Sequence, residues 1–240
     1  MELAGKKILL TGGSDGIGKA MAFQLRAKRA EVIITGRSPD KLAAMESEGF
    51  STIEADFSHP CGIEAVTAAL GDAPLDILLN NAGMGRDHDF RTGKLDAEDV
   101  EANIRANLIA PILLGTKLFG NLKRAKQPVI VNVTSGLAIT PSASAPLYCA
   151  TKAGLRSYSI GAREQLRECG IHLLEALPPM VETQMTAGRE GKKISPEDCA
   201  AQIVEAIEKE REEVFIGQVG LLKRIHSLSP KLAQRILLRF

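Results

Sequence analysis

Short apolar runs alternate with amphipathic stretches along nearly the whole of this 240-residue chain. Residues 7–10, 31–35, 52–54, 75–79, 129–133, 172–176 and 214–216 read as buried strands. Helical periodicity falls between them, at about 17–29, 39–47, 61–70, 96–122, 147–169 and 196–210. Pro39, Pro60 and Pro196 each follow a serine or histidine. A proline there suits the first turn of a helix, where no N–H is needed. Such a β-α repeat covers both faces of a sheet, so a doubly wound parallel α/β sheet in one domain is the economical architecture. Pro111 lies inside 96–122 and is expected to bend that helix without ending it.

Composition removes several function classes. The formal net charge is +1, so no overall field favours nucleic acid or membrane. Tryptophan is absent and aromatics make up 4%, which disfavours a base-stacking platform. Cys61, Cys149, Cys169 and Cys199 form no Cys-x-x-Cys pair and read as reduced thiols. His59, His88, His172 and His226 lack metal-ligand spacing, so no metal is expected. The amino end does not read as a signal peptide, and no apolar run approaches the roughly 18 residues of a spanning helix. A cytoplasmic location is the expectation.

Two motifs carry chemistry. Thr11-Gly12-Gly13-Ser14-Asp15-Gly16-Ile17-Gly18 joins the first strand to the first helix. Glycines there let a backbone approach a pyrophosphate, and the helix amino end adds N–H groups and partial positive charge. Tyr148 and Lys152 form a Tyr-x-x-x-Lys unit, one helical turn apart on one face. A nearby ammonium is expected to lower the phenol from its usual value of about 10 toward neutrality. That suits proton exchange with a carbonyl or alcohol. Ser135 follows the fifth strand and can orient a carbonyl oxygen. No histidine is spaced to make it a nucleophile.

Together with Asn80-Asn81-Ala82-Gly83, these motifs make residues 5–217 resemble the short-chain dehydrogenase/reductase family. The resemblance implies sheet order 3-2-1-4-5-6-7 and hydride transfer between a nicotinamide nucleotide and a carbonyl or alcohol. It implies Tyr148 as general acid/base, Lys152 on the nicotinamide ribose and Ser135 on the substrate oxygen. Asn107 would hold a water that links the lysine to solvent. Gly12, Ser14, Asp15, Gly16, Ile17 and Gly18 would cradle the cofactor, and Asp56 would lie beside the adenine. Asn81, Ala82 and Gly83 would line its ribose side, while Asn80 looks structural. Val181 and Thr183 would meet the nicotinamide carboxamide, although Pro179 stands where many relatives carry glycine.

The second strand ends in Gly36-Arg37-Ser38. No carboxylate is there to bind a free 2′-hydroxyl, and Arg37 suits a 2′-phosphate, so NADP(H) is expected over NAD(H). The glycine loop supplies Asp15 and no cation, which leaves one side of the phosphate pocket unaccounted for. Leu137, Met84, Met180 and Met185 are candidates for an apolar substrate wall, with core filling the alternative for the methionines. Residues 86–89 would frame the entrance or lie in solvent.

No acidic residue follows Glu213, and residues 221–240 hold five cations among leucines. Without those five the body stands at −4. The tail is read as part of the same unit: a catalytic domain over 1–220 and a basic amphipathic segment over 221–240. It would pack within the molecule or on a neighbouring subunit, with an anionic membrane surface as the alternative. Pro178-Pro179 and the tail are similar to the DltE-like bacterial oxidoreductases of the family. Family members commonly dimerise through two long helices, and Ala150, Ala153, Gly154, Ser157 and Gly161 would allow close approach, so a homodimer or homotetramer is expected. The rivals are a nucleotide-sensing protein without turnover and a membrane-surface reductase of a lipid-linked group.

Overall fold

The computed structural model describes residues 1–85, 90–94 and 96–238. Seven parallel strands form one sheet in the order β3-β2-β1-β4-β5-β6-β7. They are β1 (Lys7–Leu10), β2 (Glu31–Gly36), β3 (Ser51–Glu54), β4 (Ile77–Asn80), β5 (Val129–Val133), β6 (His172–Leu177) and β7 (Glu213–Phe215). The central strands β4 and β5 are buried at every residue, which is why they read as apolar runs interrupted only by Asn80 and Asn132. The order reverses between β1 and β4, where Ile8 pairs with Ile77. A crevice at the carboxyl ends of the strands opens at such a switch point.

Helices cover both faces. On one side α1 (Gly16–Ala27), α2 (Pro39–Ser47) and α8 (Pro196–Glu208) bury Met21, Leu25, Leu42, Ile203 and Ile207 in one core, with α8 lying beside α1 and over β6 and β7. On the other, α3 (Pro60–Leu70), α5 (Ala110–Lys117) and α7 (Pro146–Glu168) pack on Leu9, Leu78 and Ile130. The helices starting at Pro39, Pro60, Pro146 and Pro196 have proline in the first turn. Ser195 caps α8 by accepting from the Asp198 N–H at 3.0 Å.

The 96–122 segment differs from a single bent helix. It runs as α4 (Ala97–Ile104), a π turn at Arg105–Ile109, α5, and then α6 (Phe119–Lys123). Pro111 cannot donate to the carbonyl of Asn107, four residues earlier, and the chain widens into the π turn just before it. The tail forms α9 (Val219–Leu228) and α10 (Pro230–Leu237), parted at Pro230. Val219 is buried, and a Cβ on Gly136 would lie 2.9 Å from its methyl. Leu221, Leu228, Leu232 and Leu238 are exposed.

Candidate active site

A cleft of about 550 Å³ runs along the carboxyl ends of β1, β2 and β4. Gly12, Ser14, Asp15, Gly16, Ile17 and Gly18 line it from the glycine loop. Arg37 and Asp56 line it beyond β2 and β3, and Asn81, Ala82 and Gly83 beyond β4. Thr183 contributes from the segment after β6, and Tyr148 and Lys152 enter from α7. Thus one cleft brings together the two sequence motifs.

The glycine loop is held by hydrogen bonds to its neighbours. The Asn81 side chain donates to the carbonyls of Thr11 at 3.1 Å and Gly12 at 3.2 Å. The Thr11 hydroxyl accepts from the N–H groups of Asn81 and Ala82. Asn81 therefore fixes the loop from the side of β4, a role its sequence position did not reveal. A Cβ at Gly18 would stand 1.9 Å from the Gly12 carbonyl oxygen, so only glycine lets α1 start this close to β1. Asp15 caps α1 by accepting from Gly16 N–H at 2.7 Å.

Asp56 accepts from the Ser58 N–H at 2.9 Å and its hydroxyl at 2.7 Å. Burial pushes the Asp56 carboxyl up, but the Ser58 hydrogen bonds and the Arg37 charge outweigh it, and it lies below its ordinary value. Asn80 spans the sheet, donating to Asn132 at 2.9 Å, and Asn132 donates to Ser159 of α7 at 2.9 Å. This buried ladder sets α7 against β4 and β5.

Ser135 is buried at the end of β5, and its hydroxyl accepts from Leu137 N–H at 3.1 Å. Lys152 is 4% exposed. Its ammonium donates to the Val133 carbonyl at 2.9 Å and lies 5.8 Å from the Tyr148 ring centre. The expected lowering of the tyrosine is reversed. Burial pushes the Tyr148 phenol up to about 12, and a hydrogen bond with Ser135 opposes this only in part. Burial also pulls Lys152 down to about 8. The motif spacing gave the pair but not its desolvation, which depends on the whole fold.

Asn107, in the π turn, is 1% exposed. Its side chain accepts from the Met84 N–H and donates to the Met84 carbonyl, both at 2.8 Å, and donates to Thr151 at 3.2 Å. Its amide thus pins the strand-end loop that carries Gly83 and Met84 beside the cleft.

The apolar candidates separate. Met84 and Met185 line the cleft, and a Cβ on Gly85 would meet the Met185 sulfur at 3.2 Å and the Tyr148 ring at 3.7 Å. Met180 lies against Gly191, and Leu137 is outside the cleft lining. Val181 is buried and bridges to Ile194 beneath the site. Thr183 packs on the glycine loop, 3.0 Å from a Cβ built on Gly16. Residues 86–89, the expected entrance, lie outside the described residues.

Sequence reasoning missed Lys41 and Glu175. Lys41 lines the cleft near Arg37, with its ammonium on the Asp15 carboxylate and 2.9 Å from Gln184 Oε1. Pro39 was the available signal: it sets the start of α2, so Lys41 falls in the first turn, beside the end of β2. Glu175, fully buried on β6, accepts from the Thr134 hydroxyl at 2.6 Å and pairs with Arg156 of α7 at 2.5 Å. An acidic residue within a strand gives no sequence sign of such burial.

A nucleotide-sized cleft at the switch point of a doubly wound sheet, with a tyrosine–lysine pair in its wall, is the arrangement of a dinucleotide-fold oxidoreductase. Residues 6–193 match the family model described as short chain dehydrogenase. The chain is 35% identical to the "Uncharacterized oxidoreductase DltE" of Bacillus subtilis (strain 168) over 237 residues, covering 93% of this chain and 92% of that protein. It is 31% identical to the serine 3-dehydrogenase of Agrobacterium fabrum over 189 residues, covering 77% of this chain and 75% of that protein. In fold it matches a short chain dehydrogenase from Burkholderia cenocepacia J2315, solved with NADP, with a TM-score of 0.88 at 23% identity over 99% of both chains. It also matches a 3-ketoacyl-(acyl-carrier-protein) reductase from Brucella melitensis, complexed with NADH, with a TM-score of 0.77 at 26% identity. That match covers 85% of this chain and 91% of the other. The chain belongs to the short-chain dehydrogenase/reductase family.

Proposed function

We propose that this protein is an NADP(H)-dependent oxidoreductase that reduces a carbonyl to an alcohol, with Tyr148 as the proton donor. One observation carries the reading: Tyr148 and Lys152 line the same cleft as the glycine loop. The residues fit a dinucleotide, because the glycine at position 18 brings the start of α1 and its N–H groups to the cleft floor. Gly12 to Gly18 would hold the pyrophosphate, Asp56 and Asn81 to Gly83 the adenosine side, and Val181 and Thr183 the carboxamide side. When bound, the nicotinamide supplies or accepts the hydride.

The chain's own residues handle the proton. With its phenol held at about 12, Tyr148 is neutral and protonated at pH 7, the state needed to give a proton to a developing alkoxide. Ser135, whose hydroxyl acts on that phenol, would orient the substrate oxygen. Lys152, near 8 and anchored on Val133, would bind ribose hydroxyls and steady the tyrosine. Asn107 holds the Met84 peptide, and a water linking Lys152 to solvent would complete its role. A phenol protonated at pH 7 suits the acid role in reduction, and in the reverse reaction the same oxygen would take the proton from the alcohol.

Met84 and Met185 suit a small or medium apolar carbonyl substrate. Exposed Tyr158 and Ile160 on α7, and Leu113 on α5, favour a homo-oligomer. Among the described residues no helix is long and apolar enough to cross a membrane. The tested reaction is NADPH consumption across aldehydes and ketones, with NADH in parallel. Tyr148→Phe is expected to cut turnover at least a hundredfold while nucleotide binding stays, in the range of general acid loss. Full turnover by that variant would refute the proton role. Tight NADPH binding with no turnover on any carbonyl would favour a sensing protein instead.

A second reading draws on the tail. Leu228 is 88% exposed in a segment without acidic residues. A surface of apolar and cationic residues suits an anionic bilayer, and co-sedimentation with anionic vesicles, lost on truncation after Gly220, would support a lipid-linked substrate.

A further inference from the structure

The sequence left half of the 2′-phosphate pocket unexplained, because the glycine loop offers an acid where a cation would help. The structure brings a cation from elsewhere. Lys41 enters the cleft from the first turn of α2, four residues after Arg37. Its ammonium bonds the Asp15 carboxylate and, at 2.9 Å, Gln184 Oε1. One side chain thus joins the glycine loop, α2 and the segment after β6 across the adenosine end of the cleft. Ser14, Gly36, Arg37 and Ser38 line the same end. A Cβ on Gly36 would come within 2.7 Å of the Ser14 hydroxyl, so glycine keeps that corner tight.

We propose that Lys41 is the second cation of the 2′-phosphate site and that Asp15 competes with the phosphate for it. The proposal rests on the NADP(H) reading above. Paired with Lys41, Asp15 does not present a bare negative charge to the nucleotide. Lys41 also holds the Asp15 carboxyl below its ordinary value, chiefly by their hydrogen bond. A 2′-phosphate, with a charge near −2, is a stronger partner for an ammonium than a single carboxylate. Lys41 can swing between the two because its side chain is 43% exposed and long. Gln184 accepts from the same ammonium, so the exchange also loosens the strut to the segment that carries Thr183 and Met185.

Opposite effects are expected from the two partners. Lys41→Gln removes the cation, so the ratio of NADP⁺ to NAD⁺ affinity should fall by about tenfold. Asp15→Asn keeps a helix cap and removes the competitor, so the same ratio should rise severalfold. Lys41→Arg should keep most of the preference. Affinities are measured by calorimetric titration of the full chain with NADP⁺ and NAD⁺, and with 2′,5′-ADP and 5′-AMP as probes free of the nicotinamide end. The gap between the two probes should shrink in Lys41→Gln and widen in Asp15→Asn. A wild-type preference for NADP⁺ that survives Lys41→Gln intact would overturn the proposal and leave the preference to Arg37. So would equal loss of both nucleotides in that variant. A wild-type protein that binds NADP⁺ no more tightly than NAD⁺ would remove the cofactor reading and this proposal together.

Discussion

At the scale of single residues, the least comfortable group in the protein is Lys152. It is 4% exposed, and its own neighbourhood offers the Val133 carbonyl but no carboxylate partner among its hydrogen bonds and ion pairs. A lysine held near 8 where 10.5 is ordinary weakens the charged fold by roughly 3 kcal/mol. The sign follows from proton counting. Below about pH 8 both folded and unfolded chains bind the proton, and the cost is complete. From about 8 to 10 the unfolded chain still binds it while the folded one has lost it, so stability rises with pH. Above 10 Tyr148 opposes this gain, because an unfolded phenol ionises first and the folded one holds its proton to about 12. Lys152→Met should therefore melt several degrees higher than wild type at pH 7, at roughly 2–4 °C per kcal/mol. The margin is reduced by the lost bond to Val133. It should narrow toward pH 10, and turnover should be lost throughout. Scanning calorimetry at pH 7 and 9.5 gives the comparison, and a margin that ignores pH would contradict the assignment. Under the proposed function, this is a site where stability yields to chemistry.

Between elements, the relevant joint is Thr134–Glu175–Arg156. Thr134 ends the run that leads into Ser135, while Arg156 lies two helical turns after Tyr148 and one after Lys152. Glu175 bonds both, so it fixes the distance between the serine's strand and the tyrosine's helix. Arg156 also meets Glu213 at 2.9 Å, and Glu213 meets Lys223 of α9 at 3.3 Å. The ionic chain thus ends on the tail, where Lys223 also lies 4.0 Å from the Phe215 ring centre. Removing one partner of a buried pair leaves a charge without compensation. Arg156→Met should cost roughly 3–5 kcal/mol, and adding Glu175→Leu should restore much of it. Burial already pushes Glu175 above the ordinary carboxyl range. Its neutral form is therefore within reach in acid, and the Arg156→Met loss should be smaller at pH 5 than at pH 8. Urea unfolding at both values reads this, and an identical loss would show that Glu175 carries no charge in the wild-type fold. None of this joint was legible in the sequence. A glutamate between Leu174 and Ala176 looks like any strand residue, and its partners lie 19 and 41 positions away. The π turn was hidden for a similar reason: Pro111 announces a disturbance, but whether the helix bends, breaks or widens is settled by Asn107 and the loop it holds.

At the scale of the whole molecule, the β-α order and the sheet were readable because each rests on local chemistry. Strands buried on both faces are largely apolar, several helices open on proline after serine or histidine, and the glycine loop sits where a strand meets a helix. What remained hidden was set by contacts between distant segments, as with Lys41 over Asp15 or Asn81 under the loop. The proposed homo-oligomer belongs to this scale too. On α7, Ala150, Ala153, Ser157 and Gly161 recur every three or four residues and are exposed. Tyr158 is 36% exposed and Ile160 48%, more apolar surface than a solvent-facing helix needs. Gly161 offers a clean test, because a Cβ there meets nothing within 4 Å in the single chain. Gly161→Arg should leave the folded subunit intact and raise helix propensity by up to about 1 kcal/mol. In a pair of helices packed through this stripe, the same side chain would have no room. Light scattering should then find a lower mass for the variant than for wild type, with unchanged circular dichroism and an equal or higher melting point. An assembly of unchanged mass would place the interface elsewhere, and a variant that unfolds would mean the stripe is packed within the subunit itself.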